Sequence, residues 1–193
     1  MSHALVPVHI KPHLVPFLFK EFKAVDCVID GIAVKAVKVT NHTSLGKFIR
    51  LLLEKTYTKP SCDKSTQLFL QVGETPKLQA YLRGHYRYVS GEASFLKLPS
   101  AGQEFLNSYL QLIFETAMMY YIYSWNEKKG NDGIEPGIIK FLSKYNLEEF
   151  NYSIISIRRD YYRKLKSGYF VGNIQFNPLT QRIETFGSVN MSQ

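Results

Sequence analysis

The stretch Pro136–Gly168 reads PGIIKFLSKYNLEEFNYSIISIRRDYYRKLKSG, and its periodicity decides how the rest of the chain is read. Pro136 suits the first turn of a helix, where its missing N–H is not needed. Ile138, Phe141, Leu142 and Tyr145 follow at helical spacing and form one apolar stripe. Asn146 is the expected stop, because asparagine tolerates the left-handed conformation that closes a helix. Leu147–Asn151 make a short connection or a helical turn. Ser153 is then the N-cap of a second helix, running to about Ser167 and ended by Gly168. At 3.6 residues per turn, Ile154, Ile157, Tyr161 and Leu165 share one side of that helix. Arg159, Arg163 and Lys166 take the opposite side, bordered by Ile155 and Tyr162.

Downstream, Tyr169–Phe176 is strand-like, Asn177-Pro178-Leu179-Thr180 forms a turn, and Gln181–Phe186 is strand-like again. The expectation is a hairpin over 169–186. Upstream, Lys128–Gly133 (KKGNDG) is a strong helix breaker. Before it, Phe105–Trp125 is 21 residues long with Glu115 as its one formal charge. That is enough to span a bilayer core, but Asn107, Ser108, Gln111, Thr116 and Ser124 would be costly facing lipid. The reading is a buried helix of a soluble domain that ends near Trp125 or Asn126, with no membrane partner.

The first half mixes strands and helices. Val6–Ile10 alternates as a short strand, and Leu14–Phe22 forms a short helix that tolerates Pro16 in its first turn. Cys27–Val39 reads as a hairpin turning at Asp30-Gly31. Thr43 or Ser44 caps a helix carrying Leu45, Phe48, Ile49, Leu52 and Leu53 on one face. Thr66–Val72 is a strand, Gly73–Pro76 a turn, and Leu78–Val89 one or two strands broken near Gly84. Ser90–Gly102, with Pro99 and its glycines and serines, reads as a loop and as the domain boundary. The expected fold class is therefore α+β. A small mixed α/β domain, residues 1–97, precedes a helical domain, residues 103–193, that closes in the hairpin.

The 193 residues carry 24 Lys plus Arg against 16 Asp plus Glu, a net charge of +8. With 45% hydrophobic residues, wholesale disorder is excluded. The pI near 9.4 points to an acidic partner. The excess is unevenly placed: net +7 over residues 1–97, −3 over 98–150, +4 over 151–168 and zero over 169–193. Cys27 and Cys62 give no disulfide framework and read as free thiols. With no secretory signal at Met1–Lys11, the expected location is cytoplasmic.

No catalytic motif is complete. Ser44-Leu45-Gly46-Lys47 lacks the upstream glycine of a phosphate loop, and Phe48 stands where Ser or Thr would bind Mg²⁺. Pro12 separates His9 from His13, so they do not form a helical metal pair. Arg83–Val89 (RGHYRYV) partly resembles the strand motif of RNA-recognition modules, but its glycine and second aromatic are misplaced, and an ordinary strand is the better reading. The expectation is a protein that is not an enzyme and has no cofactor or metal site.

Helix, turn, basic helix, hairpin is the order of a winged helix-turn-helix. Carried by Ile138–Lys144 and Ile157–Lys166, the segment Pro136–Phe186 resembles the helix-turn-helix regions of phage and mobile-element regulators, over about a quarter of the chain. The resemblance implies a winged-helix-like fold for the C-terminal part and a double-stranded DNA partner. It implies DNA contacts from Arg158, Arg159, Tyr162, Arg163, Lys164 and Lys166, with Arg159 and Arg163 placed for bases and the lysines for phosphates. Arg182 in the hairpin would touch the backbone or minor groove. The alternative is a structural or assembly protein forming a homo-oligomer through the aromatic helix 105–125.

Overall fold

Val6, Leu70 and Val37 stand side by side on three neighbouring strands, and that row organises the first half of the molecule. The computed structural model describes residues 4–29, 31–40, 42–58, 68–73, 78–80, 86–88, 93–150 and 152–166. The chain divides into two compact units, residues 1–111 and 112–193. It has the α+β composition expected, with a mixed α/β first part and a helical second part.

The first unit runs β1 (Ala4–Val8), α1 (Leu14–Glu21), β2 (Val25–Ile29), β3 (Ile32–Val39), α2 (Ser44–Leu52), β4 (Glu54–Thr56), β5 (Leu68–Val72), β6 (Leu78–Ala80), β7 (Tyr86–Tyr88) and β8 (Ala93–Lys97). One sheet has the order β1-β5-β3-β2, and a second has the order β4-β8-β7-β6. In the first sheet β3 and β5 are parallel, which requires a crossover, and α2 lies on it. Alternation places Ala4, Val6, Val8, Leu68, Leu70, Val72, Val37 and Val39 on one face, and all are buried. Each such side chain contributes about 1.5–3 kcal/mol when fully buried.

Gly31 joins β2 to β3 at φ +82°, a left-handed conformation that glycine adopts without strain. Thr43 Oγ1 accepts from Gly46 N at 3.0 Å and caps α2, as its sequence predicts.

The helix α3 (Ser100–Lys129) is 30 residues long. Its first three turns lie in the first unit and carry a polar ladder onto the segment between β1 and α1. Gln103 Oε1 accepts from His9 N at 3.0 Å. Asn107 Oδ1 accepts from Lys11 N at 2.8 Å, and Asn107 Nδ2 donates to His9 O at 3.0 Å. Gln111 Oε1 lies 2.7 Å from His13 Nε2. These amides sit at i, i+4 and i+8, so they share one helix face. Gln103 and Asn107 satisfy backbone groups of His9 and Lys11 that no strand pairs.

Two expectations are corrected here. The described part of Ser90–Gly102 is not a loop: residues 93–97 form β8, paired with β4 and β7, and α3 begins at Ser100. The Gly, Ser and Pro content signals a loop, but neighbouring strands stabilise the pairing, and Pro99 O accepts from Gln103 N to open the helix. The long helix also passes Asn126 and reaches Lys129, where a 3-10 turn over Gly130–Gly133 ends it. No helix among the described residues is long and apolar enough to cross a membrane.

The second unit packs the rest of α3 with α4 (Ile134–Tyr145) and α5 (Ile154–Lys166). A Cβ on Gly133 would collide with the Trp125 carbonyl oxygen, so the 3-10 turn leading into α4 approaches α3 closely enough to require glycine there. The predicted stripe Ile138, Phe141, Leu142 and Tyr145 is buried. Phe141 meets Phe114 at 5.7 Å, Tyr121 at 5.6 Å and Tyr145 at 4.8 Å between ring centroids, spacings favourable for aromatic pairs. Asn146 closes α4 in the left-handed conformation at φ 52°, ψ 48°. Leu147 N then donates back to Leu142 O at 3.0 Å, and the Leu147 side chain is buried.

Candidate nucleic-acid interface

The α5 helix starts where its sequence requires. Ser153 Oγ accepts from Ser156 N at 3.0 Å, and Ser153 O accepts from Ile157 N at 3.1 Å. Its inner side presents Ile157 and Tyr161, both buried. Leu165, expected on that side, is 39% exposed because the helix is ending. Burial raises the Tyr161 pKa, and Tyr123, Tyr162 and Glu127 nearby raise it further. The Asn126 side chain facing the hydroxyl pulls the other way.

Of the residues expected to touch DNA, Arg158, Arg159, Arg163 and Lys166 are exposed. Tyr162 is half-buried, its ring set edge-on to Tyr161 at 5.8 Å. Arg182 and the hairpin over 169–186 lie outside the described residues.

Charge pairing divides the cations in a way their spacing does not show. Lys164 Nζ lies 2.6 Å from Glu115 Oε2 on α3, and its side chain is only 20% exposed. It ties α5 to α3 rather than standing clear for a phosphate. Arg158 lies 3.8 Å from Glu135 at the start of α4, and Arg163 lies 3.2 Å from Asp160 one turn before it. Both of those pairs are well exposed, and such pairs contribute only about 0–1 kcal/mol. They open at little cost. Arg159 and Lys166 make no ion pair among the described residues. Among the described residues, three of the five α5 cations are paired with an acid and two are not. The Asp160–Arg163 pair is legible as an i,i+3 spacing. Glu115, 49 positions from Lys164, leaves no signal in the sequence.

The connection between α4 and α5, Asn146–Ser153, is eight residues and contains a 3-10 turn at Glu148–Phe150. The usual helix-turn-helix connection is about 3–4 residues. Elsewhere, α3 commits Leu106, Leu110, Phe114, Met118, Met119 and Ile122 to the interiors of the two units. It leaves Phe105, Tyr120 and Tyr123 exposed. Phe105 stacks on Phe48 at 5.3 Å.

Among the described residues no three His, Cys, Asp or Glu side chains gather as a metal site. A cavity of about 390 Å³ lies under α2 in the first unit, walled by Phe22, Val37, Val39, Leu45 and Ile49. Its ionisable lining residues are Lys23 and Lys38, which make no nucleophile–base pair. Cys27 is a free thiol whose pKa is raised by partial burial and by Asp26. Cys62 lies outside the described residues.

The chain matches no protein-family model, no curated protein and no solved structure.

Proposed function

We propose that the protein binds double-stranded DNA without catalysing a reaction, as a regulator of the kind found in phages and mobile elements, and that α5 is the contact. One observation carries this reading. The helix packs through Ile157 and Tyr161 and turns Arg158, Arg159, Arg163 and Lys166 outward. An exposed helix with a cationic side is suited to the major groove, which admits an α-helix. Among the described residues two of its cations make no ion pair, and two more are held only in weak surface pairs.

The test is a duplex titration across salt concentration. Affinity that falls steeply with salt supports DNA binding, because neutralised phosphates release counterions. A stable oligomer with no affinity for duplex at low salt overturns it and favours assembly through the aromatic helix.

A further inference from the structure

Ile155, Arg159, Tyr162 and Lys166 follow one another along the outward side of α5 at spacings of four, three and four residues. They form one stripe about 16 Å long at 1.5 Å per residue. Its two cations are the two that no carboxylate holds among the described residues. At its N-terminal end Ile155 is 82% exposed, one turn before Arg159. Nothing among the described residues covers that side chain.

Resting on the reading of α5 as a DNA contact, we infer that Ile155 and Arg159 give the protein sequence specificity. Arg159 forks onto a guanine, Ile155 covers the methyl group of a thymine within about two base pairs of it, and Lys166 holds a backbone phosphate.

Guanine presents N7 and O6 as paired acceptors in the major groove, and a guanidinium matches them bidentately. That fork must be free. Arg163, the other arginine placed for bases by sequence, carries Asp160 at 3.2 Å, and the carboxylate would face the same guanine acceptors. Arg159 brings no acid with it. The thymine methyl is the apolar feature of the groove, and Ile155 is the exposed apolar side chain beside Arg159. Four residues of helix rise about 6 Å, against 3.4 Å per base pair, which sets the two-base-pair limit. Lysine is a compact point charge without a fork, suited to phosphate rather than to a base edge.

The experiment is selection of duplexes from a random-sequence pool by the full chain, followed by titration of the winning sequence with modified bases. Expected is enrichment of a guanine and a thymine within two base pairs. Replacing the guanine by 7-deazaguanine, which lacks N7, weakens binding by roughly tenfold. Replacing the thymine by uracil, which lacks the methyl, weakens it by roughly threefold. Arg159→Lys abolishes the first discrimination and Ile155→Ala the second. Both positions are exposed, so neither substitution threatens the fold.

Duplex recovered without enrichment, or enrichment indifferent to both modified bases, overturns the inference while leaving DNA binding in place. No duplex retained at low salt overturns both.

Discussion

Lys164 Nζ rests 2.6 Å from Glu115 Oε2, joining the candidate DNA-contacting helix to α3. The pair makes one of five clustered cations a structural strut and separates it from its neighbours on α5. Lys164→Met is expected to cost about 1 kcal/mol, the upper range for a partly exposed pair, and to lower Tm by about 2–4 °C in a chain of this size. The salt dependence of duplex binding is expected to stay the same. A loss of salt dependence with unchanged Tm would instead place Lys164 on a phosphate.

The α5 cations that reach phosphates are expected to carry the electrostatic share of binding. Each phosphate neutralised adds about 0.9 to the slope of log K against log salt. With Lys166 on a phosphate, Arg159 on a base, and Arg158 and Arg163 easily released onto further phosphates, the wild-type slope is expected between about −1 and −3. Lys166→Ala should reduce its magnitude by about 0.9. The check is anisotropy titration of a labelled duplex at several salt concentrations. A slope indifferent to Lys166 contradicts the assignment.

Asn107 holds both ends of a short turn of backbone, accepting from Lys11 N and donating to His9 O. Asn107→Leu removes two exposed hydrogen bonds, at about 0.5–1.5 kcal/mol each. The full chain is expected to unfold at a lower urea concentration than wild type. Near-wild-type stability would show that water replaces the amide.

Tyr161 gives a pH dependence of known sign. Burial raises its pKa in the folded protein above that of the unfolded chain. Its contribution to stability is therefore present at neutral pH and is lost as pH rises past the ordinary tyrosine value of about 10. Urea unfolding at a series of alkaline pH values should show a decline that is shallower in Tyr161→Phe. An identical decline in the two proteins contradicts the burial argument.

Much of the second unit was legible because its signals are local. The Ile138–Phe141–Leu142–Tyr145 stripe, the left-handed Asn146 and the Ser153 cap each depend on residues within a few positions of one another. The hairpin at Gly31 and the Thr43 cap are legible for the same reason. The second sheet was not. Its strand β8 lies in a Gly- and Ser-rich stretch and pairs with the nearby β7 on one side and with β4, some forty positions away, on the other. At the candidate site, helical projection correctly put Arg159, Arg163 and Lys166 on the outside. The Lys164–Glu115 pair was not legible, because Glu115 lies on another helix, 49 positions away.

The most direct measurement is duplex binding by Arg159→Glu combined with Arg163→Glu, in a gel shift at low salt beside the wild type. Both side chains are exposed, so circular dichroism and Tm should be close to wild type. Binding should be abolished. Unchanged affinity in a folded double variant would contradict α5 as the DNA contact.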